Sequence, residues 1–255
     1  MVNKLDNHTV VIIGGSSGIG LGVAKNLLES TNAKIIIGSS NAKKVDAAIA
    51  SLSQLPRAQG RVSGHAVNLD ISQSEDSIAE FLSKCGTINH LVYTAADPLS
   101  FVPVEEVSKT RCDKAFGIRY WSLLTTIRHA LQYMPKTPES SIVLTSGNVV
   151  FRPMKGWSGM ASGVASAVEG LTRGLAVDLA PVRVNCVAPG AIPETDVWSG
   201  MGKEEMETMV EGLKRKSLTG RVGRVEDIAE GYVYLLKANF TNGQTLLMDG
   251  GEYLN

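Results

Sequence analysis

Short apolar runs recur along the chain at 9–13, 34–37, 64–67, 90–93, 141–144, 183–187 and 244–248, each bounded by Gly, Ser, Pro or Asn. Between them, apolar residues return every three or four positions over 21–29, 45–55, 74–84, 107–133, 160–179 and 225–236, which is the spacing of a helix with one buried face. Strands alternating with helices predict a parallel sheet covered on both faces, the doubly wound α/β class. The first run supports this directly. Val10, Val11, Ile12 and Ile13 are apolar at every position rather than every second one, as a strand buried on both faces requires. No linker, composition break or internal repeat divides the 255 residues, so a single domain is expected over 1–255. The Gly, Ser and Ala of 159–174 leave two readings open, a helix packed tightly on its own sheet or a face that another subunit approaches closely.

Charge narrows the partners. Lys plus Arg and Asp plus Glu are equal at 25 each, with no run of about five like charges, which argues against an electrostatic nucleic-acid binder. The first residues lack a secretory leader, and no stretch of about 18 apolar residues occurs to span a membrane. The three cysteines Cys85, Cys112 and Cys186 match neither a disulfide framework nor a zinc site and read as reduced thiols of a cytoplasmic protein. His8, His65, His90 and His129 show no metal-ligand spacing, so no metal is expected. Glycine is abundant, at 26 residues, and one cluster of it carries chemistry.

Gly14, Gly15, Ser16, Ser17, Gly18, Ile19 and Gly20 follow the first strand and open a helix. Glycines there permit a tight turn and let N–H groups at the helix start reach a pyrophosphate. Alone, such a cluster reads equally as a turn. It is accompanied by Asp70 after the third strand, by Arg183, Val184 and Asn185 followed by Pro189 and Gly190, and by Gly220 to Gly223, Glu226 to Ala229, Asn242 to Gln244 and Asp249 to Gly251. In this combination the chain resembles the short-chain dehydrogenase/reductase family over essentially its whole length, with Ile13 where the family's TGxxxGIG motif has Thr. The resemblance implies a Rossmann-type sheet of seven parallel strands, a nicotinamide cofactor, and commonly a homodimer or homotetramer. It places Gly14, Ser16, Ser17, Gly18, Ile19, Ser39, Ser40, Asn41, Asp70, Ala95, Pro189, Gly190, Ile192 and Thr195 around that cofactor.

Cofactor choice follows from charge. An acidic residue ending the second strand would bind a ribose 2′-OH and repel a 2′-phosphate. Here Ser39, Ser40 and Asn41 stand instead, with Lys43 and Lys44 a turn later, which favours NADP(H); the two lysines solvating a helix start is the other reading.

The catalytic pattern departs from the family's Asn, Ser, Tyr and Lys. Ser146 matches the Ser, but the YxxxK positions fall on Ala161 and Ala165, and Arg119 takes the place of Asn. The usual NNAG after the fourth strand reads Tyr93, Thr94, Ala95, Ala96, followed by Asp97. A carbonyl that accepts hydride becomes an alkoxide and needs a general acid. An iminium does not, because hydride addition neutralises it. The pocket therefore suits a C=N⁺ substrate, or a reaction in which the cofactor serves as a surface. Arg119 would bind a substrate carbonyl or carboxylate or stabilise developing negative charge, or else tie helix to strand. Asp97 would favour a cation, or form a turn before Pro98. Trp157 would wall a flat substrate, or pack in the core.

Such loss of Tyr and Lys, with Arg at the Asn position, resembles a fungal group that includes the iminium reductase/Diels–Alderases of prenylated indole alkaloid pathways. Their Pro-Asp-Pro-Gly-Trp segment is here Pro153, Met154, Lys155, Gly156 and Trp157, without the Asp. The family's carboxamide-contacting Thr falls on Glu194, with Thr195 one residue later. A substrate lid is expected over about 193–218, where Trp198, Met201, Met206 and Met209 suit a large apolar ligand or simply pack. Three activities follow: an NADP(H)-dependent reductase of a bulky, iminium-type biosynthetic intermediate, a cofactor-templated cyclase or Diels–Alderase without net redox, or a noncatalytic subunit.

Overall fold

In the computed structural model, which describes residues 4–98, 103–153, 155 and 158–255, the seven apolar runs become seven strands of one sheet. They are β1 (Thr9–Ile13), β2 (Lys34–Ser39), β3 (Val62–Ala66), β4 (His90–Tyr93), β5 (Ser141–Thr145), β6 (Arg183–Pro189) and β7 (Thr245–Met248). All pair in parallel, in the order β3-β2-β1-β4-β5-β6-β7. The helices are α1 (Gly18–Ser30), α2 (Ala42–Leu52), α3 (Ile71–Ser83), α4 (Lys109–Phe116), α5 (Leu123–Ala130), α6 (Gly163–Asp178), α7 (Lys203–Lys216) and α8 (Val225–Lys237).

Strand side chains alternate between faces, and the two faces feed separate cores. Val10, Ile12, Ile37, Val92 and Val143 join α1 and α8 through Leu27, Leu28, Tyr232 and Leu236. Val11, Ile13, Leu91, Ile142 and Leu144 join α3, α5 and α6 through Phe81, Ile127 and Val168. Every residue of β4 and β6 is buried, whereas the edge strand β3 is largely exposed. That exposure explains why β3 starts at Val62 rather than at 64: an edge strand needs no continuous apolar run.

Two expected helices are not regular. The one over 107–133 widens into a π-turn at Gly117–Ser122 between α4 and α5, and the one over 160–179 begins with another at Ser158–Ser162. The periodic pattern predicts nothing over α7, whose buried residue is Leu213 alone. Chain order reverses between β1 and β4, which opens a crevice beyond the carboxyl ends of these strands, where ligands of such sheets bind.

Candidate active site

A cavity of about 1050 Å³ occupies that crevice. Its floor is the glycine turn. Gly14 has φ +89° and Gly18 φ +51°, a region that L side chains avoid. A Cβ on Gly14 would stand 2.6 Å from Ala95 N, and one on Gly20 2.4 Å from the Gly14 carbonyl oxygen. The turn is therefore drawn tightly against Thr94 and Ala95 at the end of β4. Ser17 precedes α1 in extended conformation, so the cavity faces a helix N-terminus with its unpaired N–H groups. These features fit a dinucleotide pyrophosphate.

At the far end, Ser16 Oγ donates to Ser39 Oγ at 2.8 Å, and Asn41 caps α2 by accepting from Lys44 N at 3.0 Å. Ser39, Ser40, Asn41 and Lys44 all line the cavity. Lys44 Nζ reaches Asp196 Oδ2 at 2.8 Å, and Ser17 Oγ donates to the same oxygen at 3.3 Å. Asp70 lines the wall as well and caps α3, its Oδ1 accepting from Ser72 N.

At the reacting end the cavity is walled by Asp97, Ile118, Arg119, Ser146, Ala161, Val164 and Ala165. Arg119 projects from the π-turn, a rare geometry that is often found at functional sites. Its guanidinium donates to the Asp97 carbonyl oxygen at 2.5 Å, while Tyr93 Oη donates to Ile118 O at 2.7 Å and pins the same turn to β4. Burial lowers the Arg119 pKa, with Asp97 and Tyr93 acting the other way. A guanidinium nevertheless stays charged, so this is a desolvated cation at the substrate end. Ser146 Oγ points to α6, lying 3.1 Å from Ala165 O and 3.4 Å from Glu169 Oε1. Trp157, together with Met154 and Gly156, lies outside the described residues.

The geometry also places the residues that follow Gly190. Glu194 is drawn away from the cavity, where its Oε1 accepts from Val225 N at 2.5 Å and caps α8. Thr195 instead lines the cavity, its Oγ1 donating to Ile192 O at 2.8 Å and its methyl facing Gly18. From the expected lid, Val197, Trp198 and Leu213 reach the wall, whereas Met206 and Met209 are half-buried on α7 and are not among the lining residues. Trp198 is buried, with Nε1 donating to Ile192 O at 3.1 Å. The sequence reading missed Asn148, Arg152 and Glu252, which join the wall through contacts of Asn148 Nδ2 with Glu252 Oε2 at 3.0 Å and of Arg152 with Glu252 O. No local signal marks them, since about a hundred residues separate the partners. Among the described residues no group of side chains could hold a metal ion, and no helix is long and apolar enough to cross a membrane.

A glycine-floored helix start at the reversal of a doubly wound parallel sheet defines a dinucleotide-binding protein. A family model described as an SDR-like Rossmann domain matches residues 1–255. The chain is 34% identical to the short-chain dehydrogenase/reductase fsr5 of Gibberella fujikuroi, across 100% of this chain and 97% of that one. It is also 34% identical to the short-chain dehydrogenase/reductase malC of Malbranchea aurantiaca, across 98% and 96% of the two chains. The solved MalC reductase/Diels-Alderase from Malbranchea aurantiaca superposes with a TM-score of 0.91, covering 99% of this chain and 98% of that one at 34% identity. A small-chain dehydrogenase in complex with NADPH gives 0.79 at 26% identity, covering 98% of this chain and 100% of that one. The chain belongs to the short-chain dehydrogenase/reductase family. It is an enzyme of that oxidoreductase family, and its Rossmann fold implies a nicotinamide cofactor.

Proposed function

We propose that the protein is an atypical NADP(H)-dependent reductase of a bulky biosynthetic intermediate, an iminium-bearing alkaloid, with cycloaddition coupled to reduction. The observation that carries this reading is the pair Ala161 and Ala165 in the cavity wall, at the positions where the family keeps its Tyr and Lys, opposite a complete nucleotide cradle. An iminium needs no such acid, because hydride addition discharges it. Support for NADP(H) comes from Lys44 beside Ser39, Ser40 and Asn41, with no carboxylate in the sequence at the end of β2; a 2′-phosphate would take Lys44 from Asp196, which holds it at 2.8 Å. A cavity of about 1050 Å³ lies at the upper end of the roughly 300–1,000 Å³ range of small-molecule pockets, as a dinucleotide site requires. The segment 193–218 serves in this reading as the substrate lid.

A second reading, a cyclase or Diels–Alderase without net redox, is favoured by Arg119, a half-buried cation able to polarise a carbonyl, and by the two activities named for the Malbranchea relative. A homodimer or homotetramer belongs to the same proposal, supported by open space where a Cβ would stand at Gly163, Gly170 and Gly174 of α6. So does a cytoplasmic location, supported by three unpaired cysteines. The test is titration with NADPH and NADH, followed by the absorbance of reduced cofactor as cyclic iminium, enone and pericyclic-precursor compounds are added. Oxidation with iminium compounds supports the first reading. Product formed without oxidation supports the second, and tighter NADH binding refutes the cofactor assignment.

A further inference from the structure

The cavity has lost Tyr and Lys, but a buried acid stands behind it. Glu169 lies one helical turn beyond Ala165 on α6 and is 7% exposed. It does not line the cavity; it touches Ser146, which does. We propose that Glu169 and Ser146 together deliver a proton into the cavity, so that this site reduces neutral carbonyl groups as well as iminium ions. The inference goes beyond the function proposed above but rests on its nucleotide half.

The geometry gives each group its part. Ser146 Oγ donates to Ala165 O at 3.1 Å and, while the carboxyl is ionised, to Glu169 Oε1 at 3.4 Å. With Glu169 protonated, its O–H donates to Ser146 Oγ, and the Ser146 hydrogen is free to turn from the Ala165 carbonyl to a substrate oxygen. A bound reduced nicotinamide would supply hydride, with its electron pair, to the carbonyl carbon. The carbonyl π pair moves onto oxygen, which takes the proton of Ser146 Oγ. Ser146 takes the proton of Glu169, and the carboxylate regains one from water before the next turnover. Ser146 is the catalytic residue of the pair, and Glu169 is a positioning residue that holds the proton.

The surroundings shift Glu169 toward its protonated form. Burial raises the Glu169 pKa above the ordinary carboxylate range, opposed by the Ser146 hydrogen bond and by Arg173 on the same helix. From β6 it faces Cys186, whose thiol burial and Glu169 push up and leave neutral. From the π-turn the charged residue is Arg119, whose guanidinium is held by the Asp97 carbonyl.

Two measurements test the pair. In ligand-free protein, infrared titration shows a protonated-carboxyl band that disappears as pH rises and is absent from Glu169→Gln. With NADPH and a cyclic ketone, wild type oxidises the cofactor at a rate that falls as pH rises through the same titration. Glu169→Gln is about 10²–10⁴-fold slower, the range for losing a general acid, and its rate no longer follows that titration. Ser146→Ala is slowed comparably, and Ser146→Thr, which keeps a hydroxyl, recovers most of the rate. If Glu169→Gln does not fold, the Ser146 pair and the wild-type titration carry the test. The proposal is overturned if the band survives in Glu169→Gln, if that variant keeps the wild-type rate and pH profile, or if wild type reduces iminium but no ketone. Failure of wild type to bind NADPH overturns the nucleotide reading and this proposal together.

Discussion

Replacing Gly20 by Ala places one carbon where the structure has none to spare. Its Cβ would stand 2.4 Å from the Gly14 carbonyl oxygen and 2.5 Å from Thr94 Oγ1, against an ordinary carbon–oxygen contact of roughly 3.3 Å. About 0.9 Å must be recovered by moving backbone, because Gly14 N is held on Gly38 O at 2.7 Å and Thr94 Oγ1 on Ile13 O at 3.1 Å. Such overpacking costs about 1–3 kcal/mol. Any part of it relieved by tilting α1 away from β1 displaces the N–H groups that face the cavity. At 1.4 kcal/mol per decade, NADPH binding weakens roughly 5- to 100-fold. Gly117→Ala is the control: a Cβ there meets nothing within 4 Å, so NADPH affinity stays within twofold. Isothermal titration with NADPH, read beside the melting temperature of each variant, measures both. Gly20→Ala binding as tightly as wild type would refute the argument that this turn holds the nucleotide.

Arg119→Ala is expected to lower kcat/KM for the natural reaction by about 10²–10³, the loss typical of one preorganised electrostatic donor, with Arg119→Lys intermediate. Steady-state kinetics with equal rates for all three would remove Arg119 from the chemistry. Lys44→Met is expected to weaken NADPH about tenfold, or 1.4 kcal/mol, and to leave NADH within twofold; parallel losses for both nucleotides would refute 2′-phosphate recognition. The pH dependence of stability should show His90, which burial holds at about 3, with His8 and Arg183 adding to the effect. Its folded pKa lies below the unfolded value of about 6.5, so the unfolded chain binds the extra proton between these limits. Its contribution is complete above about pH 6.5 and is lost as pH falls toward 3, at about 1.4 kcal/mol per unit and about 2 kcal/mol by pH 5. Urea unfolding of wild type and His90→Gln between pH 7 and 5 should differ by that slope, and parallel curves would refute it.

Much of this molecule is legible in its residues because burial on both faces leaves an unmistakable mark. β1 and β4 begin and end where their apolar runs do, and Gly14 to Gly20 fall where a phosphate-binding turn must. What escapes depends on partners distant in sequence. The Lys44–Asp196 pair joins positions 152 residues apart, and nothing near Glu194 announces that it caps α8. The π-turns carrying Arg119 and Ala161 have no periodic signature, since one extra residue in a turn barely alters a helical pattern. Glu169 is the most instructive omission. On a helix of ordinary composition it reads as a surface carboxylate, and only burial beside Ser146 gives it chemistry.

The same substitution that removes the family's Lys also changes what Glu169 is. Residues four apart share a helix face, so a Lys at position 165 would lie over Glu169 and favour its carboxylate, as a nearby cation does. With Ala165 there, desolvation is the largest influence on Glu169, and Arg173 opposes it from the other direction along α6. Meanwhile a cation enters at Arg119, on the π-turn that packs against α6. Relative to the family's pattern the positive charge stands on the neighbouring π-turn rather than on α6, and a carboxyl relieved of its cation is left behind Ser146. Ala161 and Ala165 thus do more than delete a proton relay. They remove two large side chains from the α6 wall and leave a cation at Arg119 and, behind Ser146, a carboxyl whose pKa burial raises. On the proposed function, Arg119 would orient a substrate by its oxygen whether the electrophilic carbon belongs to an iminium or to a carbonyl, and the Ser146 hydroxyl would decide only the second case.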